Sequence, residues 1–504
     1  MSVNRSICPD IYHPAIARDG LLTRLRLPGG VVNVTQCQAI SNLLAATGLN
    51  YIQVTNRANL QLRGLEKDLE PELLAELIAC GLVAEHQTVD GIRNIMASPT
   101  AGIDATEFID VRPVVAAWDQ YLISHPELGM LSNKFSVGFD GGGSVSILDR
   151  PNDITLLAVA GDEFLLHLKM GARGDAPVSV GVRLAVTECV PMLGAIAQGY
   201  LRGCKELGSG GRKLRLREVI EGWGLAGFWR VVMEEMDLLR LGVHLTQQFA
   251  LVGFPDQISA LSDASRQRRT EGDICMHLGV FRQQQMGLSY VGMAVPLGRV
   301  KLWQMCGLEA IARRYGSGTI RLTPWQNAIV PDVRDEDVGI VQGLIEDLGF
   351  GWANHVNGLL TACAGASGCQ FAAGDTQADA IALSKYLESQ FILVGGAAGN
   401  EHRPLNIHFS GCDKSCAQHY QADIALWGCP KTAKQPEGYR LSIHGGTDKF
   451  GREVRDYLTP EDVKLAIDRL IRAYQERRAS PQESFRAFTD RQSLAQLQQI
   501  LNVI

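Results

Sequence analysis

Four cysteines in the C-terminal half of the chain form two close pairs. Cys363 and Cys369 are separated by five residues, and Cys412 and Cys416 by three. Four thiolates suit either a tetrahedral zinc ion or a [4Fe–4S] cluster. Structural zinc sites usually space a ligand pair by about two to four residues, which fits the second pair but not the first. Glycine and alanine crowd these loops and let backbone amides approach cluster sulfurs, so we favour the cluster. Zinc and coincidence stay open as alternatives.

Length and composition indicate the class of protein in which these cysteines occur. The chain has 504 residues, 46% hydrophobic and 20% charged, and its net charge of -6 argues against a general nucleic-acid-binding protein. No run approaches the roughly 18 apolar residues of a membrane span, and the first residues lack the apolar core of a signal peptide. We therefore expect a cytoplasmic protein without a nucleic-acid or membrane partner. Clustered cysteines there indicate a metal or catalysis rather than disulfides.

The sequence contains two copies of one pattern, and its length exceeds the roughly 250–300 residues at which chains split into domains. At an offset of 268, residues 28–59 match residues 296–327 without a gap. The identical pairs include Pro28/Pro296, Gln36/Gln304, Gly48/Gly316, Thr55/Thr323 and Asn59/Asn327. A second group matches at an offset of 270: Phe139/Phe409, Gly141/Gly411, Asp153/Asp423 and Leu156/Leu426. We interpret the chain as a duplication whose halves are joined by the polar stretch 262–273.

The four cysteines occur in only one of the two copies. At the matching positions the first copy has Met96, Gly102, Gly142 and Ser146. Four residues that are gained or lost as a set are expected to serve one centre. The other eight of the twelve cysteines are scattered, and we interpret them as small buried apolar residues or idle thiols.

Both copies mix strand and helix patterns. Alternating or continuous apolar residues predict strands within 51–62 and 405–411. Helical spacing predicts helices within 38–48, 71–81, 379–390 and 460–478, the first two ending at a glycine. Short strands joined by helices indicate an α+β or α/β architecture. We expect two pseudo-symmetric halves with a site where they meet.

Basic residues have the opposite distribution to the cysteines. From the first copy to the second, Arg24 becomes Gly292, Arg26 becomes Ala294, Arg57 becomes Trp325 and Lys134 becomes Pro404. An isolated arginine on a strand is commonly a surface or salt-bridged residue. The asymmetry instead favours one composite site, with cations from one half and the metal from the other. Because Arg24 and Arg26 flank Leu25 in a predicted strand, we interpret one as entering the pocket and the other as staying in solvent.

The cysteine spacing, with 42 residues between the pairs, and the stretch SGCDKSCAQ are similar to the ferredoxin-type sulfite and nitrite reductases. The resemblance covers nearly the whole chain, including the cluster-free first copy. It implies an α+β, internally duplicated fold in which ferredoxin-like segments alternate with two sulfite-reductase repeats. The implied boundaries are 1–85 and 274–350 for the ferredoxin-like segments, 262–273 for the linker, 86–261 for the cluster-free repeat and 351–504 for the [4Fe–4S]-bearing repeat.

The same resemblance implies roles for individual residues. In that superfamily the last cysteine, here Cys416, bridges the cluster to a siroheme iron. Arg24, Arg57 and Lys134 match the catalytic basic residues around the anion above the siroheme. A second lysine of the sulfite reductases is replaced here by Ser136, which disfavours sulfite reduction.

Two further details resemble the precorrin-3B synthases of the aerobic cobalamin pathway. These are RLTPW at 321–325 and the lysine of GCDKSCA, Lys414. That family comprises iron–sulfur monooxygenases that use dioxygen to hydroxylate precorrin-3A and close a lactone. The main expectation is therefore conversion of precorrin-3A to precorrin-3B, with a tetrapyrrole and dioxygen as substrates. The alternatives are a ferredoxin-dependent siroheme nitrite or sulfite reductase and a non-catalytic tetrapyrrole-binding or metal-sensing protein.

Cofactor and donor expectations follow from these resemblances. Besides the cluster, the chain is expected to hold siroheme through Cys416 or a mononuclear non-haem iron, and to accept electrons from ferredoxin or a reduced nicotinamide. A basic stretch between residues 202 and 217 is either a solvated helix face or a binding surface for tetrapyrrole carboxylates, which guanidinium groups match in shape. Its basic residues are Arg202, Lys205, Arg212, Lys213, Arg215 and Arg217. We assign Arg26, Arg215 and Arg217 to cofactor binding.

Overall fold

The computed structural model describes residues 8–171, 177–208, 212–238, 276–352, 356–358, 360–390, 405–433, 435–481 and 483–502. The predicted linker, 262–273, lies outside the described residues, as does Pro404, the counterpart of Lys134.

The described part of the first half alternates small sheets with helices. Its strands are β1 (Ala15–Ala17), β2 (Gly20–Leu25), β3 (Val31–Asn33), β4 (Tyr51–Val54), β5 (Leu60–Leu65), β6 (Ile95–Ala97), β7 (Val137–Asp140), β8 (Ile154–Ala160), β9 (Glu163–Leu168) and β10 (Val178–Ala185). Its helices are α1 (Val34–Thr47), α2 (Pro71–Ala79), α3 (Gln87–Asp90), α4 (Arg112–Ser124), α5 (Val186–Leu207) and α6 (Leu216–Leu238).

The described part of the second half repeats this order. Its strands are β11 (Gly279–Arg282), β12 (Leu288–Met293), β13 (Arg299–Lys301), β14 (Thr319–Leu322), β15 (Ala328–Arg334), β16 (Leu360–Ala362), β17 (Ile407–Ser410), β18 (Ile424–Cys429), β19 (Gly438–Ile443) and β20 (Arg452–Leu458). Its helices are α7 (Leu302–Tyr315), α8 (Val338–Asp347), α9 (Gly365–Gly368), α10 (Thr376–Ser389), α11 (Pro460–Arg477), α12 (Phe485–Asp490) and α13 (Leu494–Asn502).

The described residues form four five-stranded sheets, two of which belong to one half each. Their orders, β10-β9-β8-β7-β6 and β16-β17-β18-β19-β20, are the same when the second is read backwards. The three strands at the β6 and β16 edges are parallel and the rest antiparallel. Because loops that follow neighbouring parallel strands emerge at the same edge, the segments after β16 and β17 are brought together. These segments carry the four cysteines.

The other two sheets exchange a strand between the halves. Their orders are β1-β2-β5-β4-β13 and β11-β12-β15-β14-β3. β13 of the second half pairs antiparallel with β4, with Val300 opposite Ile52, and β3 of the first half pairs with β14, with Val32 opposite Ile320. One hydrophobic core runs through both sheets. The two halves are therefore joined by backbone hydrogen bonds as well as by packing.

The polar residues that recur in the two copies make the same hydrogen bonds. The Asn59 Oδ1 atom accepts from the Leu27 amide at 2.8 Å, and the Asn327 Oδ1 atom accepts from the Val295 amide at 3.1 Å. Thr55 and Thr323 each accept through Oγ1 from two amides in the following turn. These turns join β4 to β5 and β14 to β15, so the sequence duplication reflects a shared local structure.

Predicted helix boundaries agree closely with the structure. α1 begins with a capping box between Asn33 and Gln36 and ends at Gly48, whose φ of 67° is left-handed. The predicted strand within 51–62 is instead two strands with a tight turn between them, at which Ala58 has a φ of 55°. None of the helices within the described ranges combines the length and the apolar character needed to cross a membrane.

Gly30 lies where the halves meet, and substituting it tests that contact. A Cβ atom at Gly30 would lie 2.7 Å from the Leu322 carbonyl oxygen of the other half, whereas one at Gly48 would have no atom within 4 Å. Both residues have a positive φ. We expect Gly48→Ala to cost about 1–2 kcal/mol from backbone strain, and Gly30→Ala to cost about 1–3 kcal/mol more from overpacking. Thermal unfolding at one scan rate should show the larger fall in Tm for Gly30→Ala; equal falls would contradict the close interface.

Candidate active site

A single large cavity gathers the residues that the sequence singled out from both halves. Its volume is about 1290 Å³, more than the roughly 300–1000 Å³ of ordinary ligand pockets. The four paired cysteines, Cys363, Cys369, Cys412 and Cys416, line it together with Arg24, Arg26, Arg57, Lys134, Arg215 and Arg217 of the first half. The structure therefore brings the singled-out cysteines of one half and cations of the other to the wall of one cavity.

The first cysteine pair is carried by the segment that follows β16. Cys363 comes directly after this strand, and its carbonyl accepts hydrogen bonds from Thr376 Oγ1 at 2.8 Å and Gln377 Nε2 at 2.9 Å at the start of α10. Its Sγ atom accepts from the Gly411 amide at 3.2 Å. Cys369 follows α9, where its amide donates to the Gly365 carbonyl at 2.8 Å. An amide donor to a ligand sulfur is a feature that tunes iron–sulfur clusters.

The second pair lies in the turn after β17. The Ser410 hydroxyl donates to the Cys412 carbonyl at 2.8 Å, and Ser415 has a left-handed φ of 49°. Burial raises the pKa of Cys412, and the neighbouring thiolates of Cys416, Cys363 and Cys369 raise it further. The four thiols are therefore close enough to influence one another electrostatically. Deprotonating all four requires a compensating positive charge, which a bound cluster supplies.

The four thiols are not gathered around one point. Within the described ranges, no three His, Cys, Asp or Glu side chains are gathered closely enough to hold one metal ion. A cubane has its four irons at separate corners, so its ligands need not converge on one point. The separation of the four thiols is therefore compatible with a [4Fe–4S] cluster.

The cavity is strongly basic, although the chain as a whole is acidic. Its lining contains twelve Lys and Arg residues, and among the residues described there it contains no Asp or Glu. The twelve are Arg18, Arg24, Arg26, Arg57, Arg63, Lys134, Lys169, Arg212, Lys213, Arg215, Arg217 and Lys414. Cations concentrated in a cleft with no carboxylate attract anions. A cavity of this size and charge fits a tetrapyrrole with several carboxylates.

Arg24 and Arg26 correct one expectation, because both line the cavity and neither is a solvent residue. Side chains two positions apart on an extended chain point to the same face, so alternation around Leu25 brings the two together. Their Nε atoms are buried without a hydrogen-bond partner, and Arg26 is 2% exposed. Burial, with the nearby Arg24 charge, lowers the pKa of Arg26 to about 10. Buried cations with unpaired donors suit an anionic ligand.

Arg57 and Lys134 differ in how firmly they are held. Arg57 NH1 donates to Asn152 Oδ1 at 3.0 Å and NH2 donates to the Pro151 carbonyl, so the guanidinium is fixed against the first half. Burial lowers the pKa of Arg57. Lys134 is exposed, and the described contacts show only its backbone amide bonded, to Ser132 Oγ. One cation of the site is thus rigid and the other is free to follow a ligand.

The basic stretch of residues 202–217 divides between the cavity and the surface. Its last four cations line the cavity, and Arg215 is held by Asp153 at 2.8 Å, a carboxylate that is 2% exposed. Arg202 is not part of the lining; it forms surface ion pairs with Glu206 and Glu234. Lys205, near the end of α5, is also outside the lining. The interpretation as a ligand surface therefore fits its second part, and that as a solvated face fits its first.

The sequence patterns did not identify several residues that line the cavity. Arg18, Arg63 and Lys169 are cations of the cavity wall, and Cys8, grouped with the idle thiols, also lines it. The repeat contained a signal for Arg63, because Pro331 stands at the matching position. Comparing the copies at every basic residue would have found it.

The position that matches Arg57 is part of an aromatic stack. Trp325 lies against His277, with ring centroids 4.4 Å apart, and the Arg150 guanidinium carbon lies 5.0 Å from the Trp325 ring. Arg150 also covers Tyr420 at 3.7 Å and is 3% exposed. Trp325 itself is not in the cavity lining. The counterpart of Arg57 is thus packed among protein side chains and does not belong to the cavity lining.

Comparison with known domain families places these features in a known group. The family described as the nitrite/sulfite reductase ferredoxin-like half domain matches residues 13–80 and 281–348. The nitrite and sulphite reductase 4Fe-4S domain matches residues 88–238, the copy without the four cysteines. Both matches agree with the alternating segments predicted from the sequence and confirm the fold class.

Individual relatives agree with the domain matches. The chain is 30% identical over 478 residues to a ferredoxin–nitrite reductase of Synechococcus elongatus, covering 92% of this chain and 87% of the relative. It is 26% identical to sulfite reductase [ferredoxin] 2 of Mycolicibacterium paratuberculosis, covering 90% and 79%. The Mycobacterium tuberculosis NirA protein has the same fold, with a TM-score of 0.73 at 22% identity over 95% of this chain and 84% of NirA. The chain therefore belongs to the nitrite/sulfite reductase family of oxidoreductases.

Proposed function

We propose that the protein reduces nitrite with electrons from ferredoxin, using a [4Fe–4S] cluster and siroheme bound in the cavity. The observation that carries the proposal is the composition of the cavity wall: four cysteines of one half and basic residues of the other, with no carboxylate in the described lining. This arrangement attracts a small anion to a redox centre. The names of the relatives, ferredoxin–nitrite reductases from a cyanobacterium and from maize, support this choice of substrate and donor.

The cysteines and the outer cations would hold the cofactors. Siroheme, when bound, supplies the iron at which the anion is reduced, with electrons delivered by the cluster. Cys416 is the exposed member of the four, so we assign it the position that faces both groups. Arg26 and Arg215, each with a buried Nε atom that lacks a partner, would bind carboxylates of the tetrapyrrole, as would Arg217 at the cavity wall.

Arg24, Arg57 and Lys134 would act on the substrate anion. The rigid Arg57 guanidinium orients it, and the mobile Lys134 ammonium neutralises charge as it develops. Cleaving an N–O bond with release of water consumes protons, and the Lys134 Nζ atom is a proton donor that solvent can recharge. Ser136 stands where a second lysine would favour sulfite, and it is buried and donates to Asp153 Oδ2 at 3.3 Å. It therefore adds no cation to the site, which favours nitrite.

A second candidate is the oxygenation of precorrin-3A, with the tetrapyrrole as substrate rather than cofactor. Its support is RLTPW at 321–325 and Lys414 in the cluster loop. Lys414 lines the cavity, whereas Trp325 does not. The basic wall would bind the carboxylates of either tetrapyrrole, so the shape of the cavity does not separate the two candidates.

The visible spectrum of the purified protein separates them. Siroheme gives an intense Soret band and red bands, whereas a cluster alone gives a broad shoulder near roughly 400 nm. We expect the siroheme spectrum and nitrite consumption with reduced ferredoxin. A cluster-only spectrum, no nitrite consumption and conversion of precorrin-3A under air would instead establish the second candidate.

Serine substitutions test the cluster ligands. Replacing Cys363, Cys369, Cys412 or Cys416 should remove most of the bound iron and acid-labile sulfide, because each is one of four ligands of the cubane. Cys37 is buried in α1, away from the cavity, and Cys37→Ser is the control that should keep both. Full iron and sulfide content in Cys412→Ser would contradict the assignment.

Alanine substitutions test the substrate cations. Arg57→Ala and Lys134→Ala should keep the cluster yet lower turnover about 10²–10³-fold, the usual effect of removing one donor aimed at developing charge. Arg202→Ala is the control, because it removes a surface cation that does not line the cavity. Exposed ion pairs contribute only about 0–1 kcal/mol, so this variant should leave turnover unchanged. Turnover is to be measured beside iron content and Tm. If both variants stay within about threefold of the wild type, these residues are structural.

A further inference from the structure

Two arginines of the first half donate hydrogen bonds to the segment that carries Cys369. Arg63 on β5 donates through NH2 to the Gly368 carbonyl at 2.6 Å. Arg18, in the turn between β1 and β2, donates through NH1 to the Ala366 carbonyl at 2.8 Å. The adjacent Asp19 binds Arg63 in a fork, with Nε–Oδ2 at 2.9 Å and NH2–Oδ1 at 3.0 Å. We call Arg18, Asp19 and Arg63 the clamp.

The segment is shaped to accept the clamp. A Cβ atom at Gly368 would lie 2.7 Å from Arg63 NH2 and 3.0 Å from Asp19 Oδ2, so any larger residue there would have to displace this ion pair. The side chain of Arg63 is 10% exposed and that of Asp19 is 29% exposed. This ion pair is therefore partly shielded from solvent, and its charges act on their surroundings with less screening than surface charges.

The residues of the clamp occur only in the first half, which lacks the four cysteines, although they bind a loop of the second half. The matching residues of the other copy are Met286, Gly287 and Pro331. There the hairpin approaches the corresponding loop through a neutral amide, Gln285 Nε2, which donates to the Gly102 carbonyl at 2.8 Å. The Ala101 carbonyl of that loop also accepts a hydrogen bond from the buried Arg321, which lies on β14 rather than on the hairpin. The contact between hairpin and loop is shared, and the charged residues of the clamp are not.

We propose that Arg18 and Arg63 are positioning residues of the cluster that also increase its electron affinity, while Asp19 moderates that effect. The inference rests on the cluster of the proposed function but not on its substrate. When a cluster accepts one electron from a reductant such as dithionite, its net charge becomes more negative by one unit. Nearby guanidinium charges favour that state, and a nearby carboxylate opposes it. Net charge and hydrogen bonding are among the determinants of cluster potentials.

The test is a redox titration of the holoprotein, with the reduced cluster followed by electron paramagnetic resonance. Arg63→Gln should lower the ratio of reduced to oxidised cluster at a fixed potential about tenfold, equivalent to about 59 mV for a one-electron couple. Arg18→Gln should lower it about threefold, because Arg18 is more exposed and its charge is better screened. Asp19→Asn should raise it about threefold. The decisive result is that Asp19→Asn shifts the ratio in the opposite direction to the two arginine variants. A general loosening of the segment would not produce opposite shifts.

Iron content and a distant cation provide the controls. Arg183→Gln removes an arginine that pairs with Glu163 on another sheet, and it should leave the midpoint unchanged. Loss of iron in Arg63→Gln would support the positioning role, and the other two variants would then decide the electrostatic one. The proposal would be overturned if the midpoint potentials of iron-loaded Arg18→Gln and Asp19→Asn did not move in opposite directions from the wild type. A wild-type protein without iron and sulfide would instead overturn the cluster, and with it the proposed function.

Discussion

Backbone hydrogen bonds between β13 and β4, and between β14 and β3, join the two halves along the edges of their sheets. Strand pairing specifies register closely, because a slip of one residue would turn every side chain to the opposite face. The basic residues on β2 and β5 belong to one half, and the cysteines after β16 and β17 belong to the other. The distance between these basic residues and the cysteines therefore depends on backbone strand pairing outside the site. A site made of two halves needs such a rigid frame, because small displacements weaken catalysis strongly.

The charge of the cavity is the second constraint. Burying cations without counter-ions is unfavourable, and Arg26 shows this in its lowered pKa. A ligand with several carboxylates would supply the missing anions, and its binding would then stabilise the folded protein as well as complete the proposed site. Arg215 already has a partner in Asp153, whereas Lys134 has none among its described contacts. The wall thus combines fixed donors, which recognise a resident group, with a mobile one suited to an exchanging ligand.

Much of the site could be predicted from the sequence because duplication provides an internal comparison. A cysteine or arginine present in one copy and absent from the other is distinguished from residues that both copies need for folding, such as Asn59 and Asn327. The exchange of β3 and β13 could not be predicted, since the pattern of a strand does not depend on which half supplies its neighbour. Arg202 and Lys205 were grouped with Arg215 by sequence proximity, but α5 ends between them, so they point to different surroundings. The clamp was missed because its residues lie on a turn and a strand with no motif of their own.

The strand exchange also bears on how such a chain can arise. Two separate molecules, each equivalent to one half, could exchange the same strand and form a symmetric dimer with two identical sites. Any substitution in that dimer would alter both sites at once. When the copies are joined in one polypeptide, the two sites no longer need to have the same sequence. One loop can then keep its thiols while the matching loop lacks them, and Arg57 can have Trp325 as its counterpart. Trp325 can then pack against Arg150 instead of serving an anion, so the two copies of one position have different surroundings in a single chain.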